Sequence, residues 1–165
     1  MHAFAWFLVA SAAFLAMEGV AWLAHRYVMH GWGWAWHRSH HEPRQGAFER
    51  NDWYAVVGTA LAIGLFLIAG HLQSPALQAV AVGVTAYGLV YSLVHDGLVH
   101  QRWPFRWVPR GGYLRRLVQA HRLHHAVRTR EGALSFGFLI VSDPRRLAAR
   151  LRARRAPRQA GPRAA

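Results

Sequence analysis

Three long apolar blocks limit what this chain can become. Residues 3–24, AFAWFLVASAAFLAMEGVAWLA, hold a single charge, Glu18; residues 53–70, WYAVVGTALAIGLFLIAG, and 76–94, ALQAVAVGVTAYGLVYSLV, hold none. A helix needs roughly twenty residues to cross a bilayer core, and each block is about that long. In lipid every peptide group must bond within its own segment, so such blocks read as transmembrane helices. Residues 71–75, HLQSP, carry Ser and Pro and make a short turn, which pairs the second and third spans as a hairpin. At 165 residues the chain is one domain. The expected fold is an all-α integral membrane protein, a bundle of three transmembrane helices, or four if ALSFGFLIV at 133–141 enters the membrane. That piece is too short to cross and reads as a re-entrant or interfacial element, or as a core helix of a cap. The first block lacks a basic leading segment and a small-residue cleavage site, so it reads as a retained span, not a signal peptide.

Charge supplies the orientation. All twenty basic residues are Arg and the formal net charge is +13. Four Arg fall between residues 25 and 52 and sixteen after residue 95, with none before residue 25 or in the 71–75 turn. With three spans, every Arg lies on one side, which the positive-inside rule makes the cytoplasm; the N-terminus then faces outward. Such a charge also suits phosphate binding, but the spans exclude a nucleic-acid-binding module. The last residues, 145–165, are basic and of low complexity and are expected to be a disordered or lipid-surface tail. Residues 1–144 then form the membrane-embedded domain, with a histidine-rich cap made of 25–52 and 95–132.

Ten of the twelve histidines fall in four motifs: HRYVMH (His25, His30), HRSHH (His37, His40, His41), HDGLVH (His95, His100) and HRLHH (His121, His124, His125). The order is HxxxxH, HxxHH, then HxxxxH, HxxHH again. His25 stands where the first span ends and His95 where the third ends, so all four motifs meet at one membrane face. His2 and His71 fall on the other face and read as structural or solvent-exposed. Neutral imidazole is the commonest metal ligand, and ten of them are more than one metal can use. Two metals with roughly four or five nitrogens each would use them all and leave room for an exogenous ligand. Within HxxHH the rings share a helical face and can serve one metal or bridge toward two. Within HxxxxH they project about 140° apart on an α-helix. They would then reach different metals, or one metal if the helix breaks at Gly31 or Gly97. The chain has no Cys, which removes thiolate ligands and protein-bound iron–sulfur clusters. Imidazole suits zinc, copper, iron and nickel alike; a nitrogen-rich dinuclear site beneath a lipid-facing bundle points to iron and oxygen chemistry on a lipid.

The stretches HRYVMHGWGWAWHRSHHEPRQGAFERNDWYAVV and VHDGLVHQRWPFRWVPRGGYLRRLVQAHRLHHAV resemble the bacterial β-carotene 3-hydroxylases, within the membrane fatty acid hydroxylase superfamily of di-iron oxygenases. The resemblance runs from about residue 19 to 141 and includes the residues between the histidines. It implies hydroxylation of the β-ionone ring at carbon 3, taking β-carotene through β-cryptoxanthin to zeaxanthin. It implies two iron ions held by His25, His30, His37, His40, His41, His95, His100, His121, His124 and His125, dioxygen as co-substrate, and electrons from a ferredoxin and its reductase. Carbon 3 is an ordinary methylene with a strong C–H bond, so a metal-activated oxidant is required and a histidine base would not serve.

Among carboxylates, Asp96 lies inside the third motif and is a candidate acceptor for an imidazole N–H, as are Glu18 and Glu42, with Asp52 and Glu131 behind them. Trp32, Trp34, Trp36, Trp103, Phe105 and Trp107 read either as a lining that guides the substrate ring or as an interfacial belt. No G-x-G-x-x-G follows a strand, so a nicotinamide or flavin is not expected. Electrons must come from a separate donor, and the Arg-rich face suits an acidic carrier. The competing readings are a fatty acid or sterol hydroxylase or desaturase, a carotenoid 4-ketolase, and, from another class, a histidine-rich metal transporter. A transporter or a bis-His haem cytochrome would usually place its ligands near the membrane midplane.

Overall fold

The computed structural model describes residues 1–104 and 106–159, and among them there is no strand. The elements run α1 (Ala3–Leu23), a π-helical segment π1 (Ala24–Trp32), α2 (Trp34–His41), α3 (Asp52–His71), α4 (Pro75–Ser92), a second π segment π2 (Leu93–Val99), α5 (Gly112–His125) and α6 (Pro144–Gln159). Among the described residues, three helical stretches are long and apolar enough to cross a membrane: Ala3–Trp32, Asp52–His71 and Pro75–Val99. They coincide with the three apolar blocks, and the protein is an integral membrane protein. Their surfaces are apolar all round, with Phe4, Phe7, Leu15, Leu61, Leu67 and Leu89 exposed, as helices that meet lipid require.

The hairpin turn follows from local chemistry. Gln73 takes a left-handed φ of 48°, the Ser74 amide bonds the Ala69 carbonyl at 3.0 Å, and the Ser74 hydroxyl accepts from Leu77 N ahead of Pro75 in the first turn of α4. α4 packs against both α1 and α3. Its contact with α1 is close because Gly83 has no side chain: a Cβ there would lie 2.2 Å from the Ala10 carbonyl oxygen and 2.8 Å from the Ala13 Cβ. Small residues at such crossings let backbones approach in lipid.

One alternative is corrected for residues 133–141 and one for the tail. Residues 133–141 are neither a core helix of the cap nor any other regular element. They form an irregular segment, with Phe138 in a core beside Val99, Leu117 and Val118, and Leu134 in a second core beside Ala120, Leu147 and Leu151. The Tyr113 hydroxyl donates to the Leu139 carbonyl and ties the start of α5 to this segment. The basic end, expected to be a disordered or lipid-surface tail, is not disordered over Pro144–Gln159 but helical. Leu147 and Leu151 lie four residues apart, one stripe of an otherwise polar helix, and both are buried. Full burial of each stabilises by roughly 1.5–3 kcal/mol, which holds the helix on α5 despite its arginines. Residues 160–165 of that tail lie outside the described residues.

Candidate metal centre

The histidine motifs end the first and third spans in π winding. A π turn closes on residue i+5; the His100 amide bonds the His95 carbonyl at 2.9 Å, and the Gly33 amide bonds the Val28 carbonyl at 2.9 Å. The five-residue spacing of HxxxxH thus matches the turn that carries it, and both rings of each motif face the same way. The His25 and His30 centroids are 5.2 Å apart, and those of His95 and His100 are 4.5 Å apart. Of the two glycines where a break was open, Gly31 departs from helical geometry, with φ −110° and ψ −124°, while Gly97 stays within π2. In α2 and α5 the spacing i, i+3, i+4 presents three rings on one face.

All ten motif histidines converge in the cap, in two groups. His25, His30, His37 and His124 form one, and His40, His95, His100 and His121 the other; within each, the donor nitrogens lie within 4.8 Å of one another. Each group takes both rings of one HxxxxH, the first ring of the nearer HxxHH and the middle ring of the distant one. Exchanging the two halves of the sequence motif by motif turns one group into the other. The last rings complete the sets. His41 Nε2 lies 3.2 Å from His37 Nε2, His125 Nε2 lies 2.9 Å from His121 Nε2, and the two rings stack at 4.4 Å between the groups. His2 and His71 are exposed and belong to neither group.

Hydrogen bonds around the rim fix which nitrogen faces inward. The Nδ1 atoms of His25, His30, His41 and His124 meet the carbonyl oxygens of Phe136 (3.1 Å), Arg130 (2.9 Å), Val127 (2.8 Å) and Leu134 (3.0 Å). Those of His37, His40 and His95 meet Asn51 Oδ1 (2.7 Å), Glu49 Oε2 (2.9 Å) and Asp96 Oδ1 (2.9 Å). A carbonyl oxygen only accepts, so those Nδ1 atoms donate and the opposite Nε2 of a neutral ring holds a lone pair. His30 and His124 therefore face each other at 3.1 Å, Nε2 to Nε2, with no proton between them. The same holds for His25 against His37 at 3.2 Å. Lone pairs so placed repel unless a cation lies among them, and outward Nδ1–H bonds are the usual support of a metal-bound imidazole. The donor set fits two transition-metal ions.

Burial keeps the seven motif rings outside the spans neutral, as ligands must be. It pushes His41 down to about 4, against the hydrogen bond to Val127, and with the neighbouring His95 it pushes His100 down to about 2. Burial first and adjacent imidazoles second hold His37, His40, His121, His124 and His125 well below the usual range.

The carboxylate candidates divide. Asp96 bonds the His95 ring, as above. Glu42 does not reach a ring in this way; it pairs with Arg38 on the surface at 2.7 Å. Glu18 is buried but bonds the main chain of residues 138–140 and the Tyr87 hydroxyl, not a histidine. Asp52 takes a two-pronged bond from Arg102, 2.6 Å on each arm, and Arg102 also lies 3.6 Å from Asp96, so it clamps α3 to π2. Glu131 is exposed beside Arg130. Of the aromatics, Trp34 packs against His30 and His41, Trp36 packs against Trp53 and Tyr54, and Trp32 is 84% exposed. Trp103 packs beside Gly97, Trp107 is exposed, and Phe105 lies outside the described residues. Trp34 thus lines the first group as expected, while the other rings on the groups were not expected: Phe136 on His25, His30 and His124, and Phe138 and Tyr91 on His95. Glu49 and Asn51 were missed as well. Their one signal in the sequence is that polar acceptors follow HxxHH within a short loop. A cavity of about 410 Å³ opens onto His40, His100, His121 and His125, with Arg44 and Arg128 on its rim.

The sequence profile of the fatty acid hydroxylase family matches residues 10–143. The chain is 58% identical to the β-carotene hydroxylase of Pantoea ananas over 151 residues, 92% of this chain and 86% of that protein. It is 54% identical to the β-carotene hydroxylase of Paracoccus sp. strain N81106, over 81% of this chain and 82% of that one. It is 41% identical to the chloroplastic β-carotene 3-hydroxylase 2 of Arabidopsis thaliana, over 76% of this chain and 42% of the plant protein. No solved structure matches. The chain belongs to the fatty acid hydroxylase family, in the branch that holds the bacterial β-carotene hydroxylases.

Proposed function

We propose that this protein hydroxylates the β-ionone ring of β-carotene at carbon 3, giving β-cryptoxanthin and then zeaxanthin. The observation that carries the reading is 58% identity to a β-carotene hydroxylase along 92% of the chain. Its test is pigment extraction from β-carotene-producing cells that express the chain, where more polar yellow carotenoids are expected. Oxidation at carbon 4 would instead mark a ketolase. Unchanged pigment with hydroxylated or desaturated acyl chains or sterols would mark the lipid-directed alternatives. The histidines begin where the spans end, which argues against a transporter pathway at the membrane midplane.

In this reading His25, His30, His37, His41 and His124 hold one iron, and His40, His95, His100, His121 and His125 the other. A di-iron centre, when bound, supplies the two-electron activation of dioxygen that an unactivated methylene demands. The chain's own part is positional. Its rim acceptors orient the rings, its buried cores keep water from most of them, and Phe136, Phe138 and Tyr91 present an apolar lining to a hydrocarbon ring. Selection of carbon 3 over the weaker allylic carbon 4 is then a matter of geometry.

The membrane is proposed to be the bacterial cytoplasmic membrane, with the N-terminus outside and the cap and C-terminus inside. The one-sided arginines support this orientation; a reporter fused after residue 165 is expected to be active in the cytoplasm, and activity confined to the periplasm would reverse the orientation. Each hydroxylation consumes two electrons, and the chain has neither Cys nor a nucleotide motif to supply them. An acidic ferredoxin served by its reductase fits the exposed Arg110, Arg115, Arg116, Arg122, Arg128 and Arg130 of the cap. Donor-limited turnover should slow several-fold as salt rises from roughly 20 to 300 mM, because screening shortens to a few ångströms. Turnover indifferent to salt would remove the docking face.

A further inference from the structure

Glu18 is the one charged residue of α1, 9% exposed, at a depth where an ionisable group is costly and generally functional. Its Oε1 accepts from the amides of Phe138 (2.8 Å) and Ile140 (3.0 Å), and its Oε2 from the amide of Leu139 (3.0 Å) and the Tyr87 hydroxyl (2.8 Å). Three donors are main-chain groups some 120 residues away, in the irregular segment 133–141. Without the carboxylate those amides, the Phe138 one buried and the other two partly so, would have no helix or sheet to satisfy them.

The clamped segment touches both histidine groups. The Leu134 and Phe136 carbonyls accept from His124 and His25 of the first group. The Phe136 ring packs 5.2–5.5 Å from His25, His30 and His124. Two residues on, the Phe138 ring packs 5.6 Å from His95 and 6.0 Å from His121 of the second group. Gly137 lies between them, where a Cβ would come within 2.4 Å of the Ile140 carbonyl oxygen and 3.4 Å of Glu18 Oε1. The turn closes around the carboxylate only because that position is glycine.

We propose that Glu18 is a positioning residue for the whole metal centre: by pinning the amides of 138–140 it sets the two carbonyls and two phenyl rings that orient the histidines of both groups. The inference rests on the histidines being metal ligands, as proposed above.

The test compares wild type with Glu18→Gln and Gly137→Ala, purified in detergent and loaded with Fe(II), and separately with Co(II), whose absorption bands report ligand geometry. Glu18→Gln keeps the size but turns an NH2 toward amides that need an acceptor. It should weaken metal retention by about tenfold to a hundredfold, the scale for lost supports of metal ligands, and alter the Co(II) bands. Gly137→Ala displaces the same segment while leaving the Glu18 carboxylate itself in place and should give the same signature. Tyr87→Phe, which removes only the hydroxyl donor, should retain metal within a few-fold of wild type. Folded Glu18→Gln protein with wild-type Fe(II) affinity and unchanged Co(II) bands would overturn the proposal. If that variant does not accumulate, a wild-type metal signature in Gly137→Ala overturns it. Wild-type protein that binds no metal would bring down the metal reading itself, a distinct result.

Discussion

His124→Ala should lose activity by at least about a hundredfold and retain less than the two metals per chain expected of wild type. His124 is fully buried, at 0% exposure. Its Nδ1 is held by the Leu134 carbonyl and its Nε2 lies 3.1 Å from that of His30, while its ring packs 4.5 Å from His25 and 5.0 Å from His41. Truncation removes one donor, leaves the Leu134 carbonyl without its partner and opens a gap beside three other rings. Those effects act on one unit and are not additive. His71→Ala is the matched control, since His71 is exposed at the far end of α3, and its activity and metal content should stay at wild-type levels. Turnover of β-carotene and iron per purified chain are the two measurements. Equal losses at both positions would overturn the assignment, and full activity with one metal per chain would overturn the count.

Gly83→Ala should lower the thermal midpoint of the detergent-solubilised protein by roughly 4–12 °C, at about 2–3 kcal/mol for overpacking. Helix propensity alone predicts the opposite sign, since Ala is better than Gly by about 1 kcal/mol in a helix interior. Contact decides it. The added Cβ would meet the Ala10 carbonyl at 2.2 Å and the Phe14 amide at 3.0 Å, and main-chain atoms yield only if α1 moves off α4. α1 also carries Glu18, whose carboxylate holds the amides of residues 138–140, so a shift of α1 should reach the centre as well. Gly88→Ala, with nothing within 4 Å of its Cβ, should leave the midpoint unchanged or raise it. A neutral Gly83→Ala would mean that α1 and α4 do not cross this closely.

Much of this architecture was legible from residue types. The three spans follow from uncharged runs, and the ten histidines follow from a motif order that repeats. What could not be read was anything carried by the main chain or by a partner far away in sequence. The Val127, Arg130, Leu134 and Phe136 carbonyls that orient four rings have no side-chain signature. Glu18 looked like a support for a histidine because an ionisable group in a span wants a nearby role; its partners are instead amides that only the folded segment at 138–140 presents. The HxxxxH pairs were placed about 140° apart by α-helical geometry, and the π winding of the span ends brings them onto one face. His37 and His40 stand three residues apart on one turn yet enter different groups, because each HxxHH helix lies between the two. The leucines of α6 were outweighed in the sequence by their arginines, although two buried residues at helical spacing suffice to dock it.

The exchange of rings between the two halves has a consequence for biosynthesis. The first group needs His124, and the second needs His40 together with residues from the third span onward. No portion of the chain that has left the ribosome before α5 contains a full set for either. A nascent chain with its first span already in the bilayer thus presents only scattered imidazoles. Metal loading is then expected to be a single late event, after all spans are threaded and α5 has folded back beneath them. Truncation before His121 should yield not a one-metal enzyme but a chain with no organised centre.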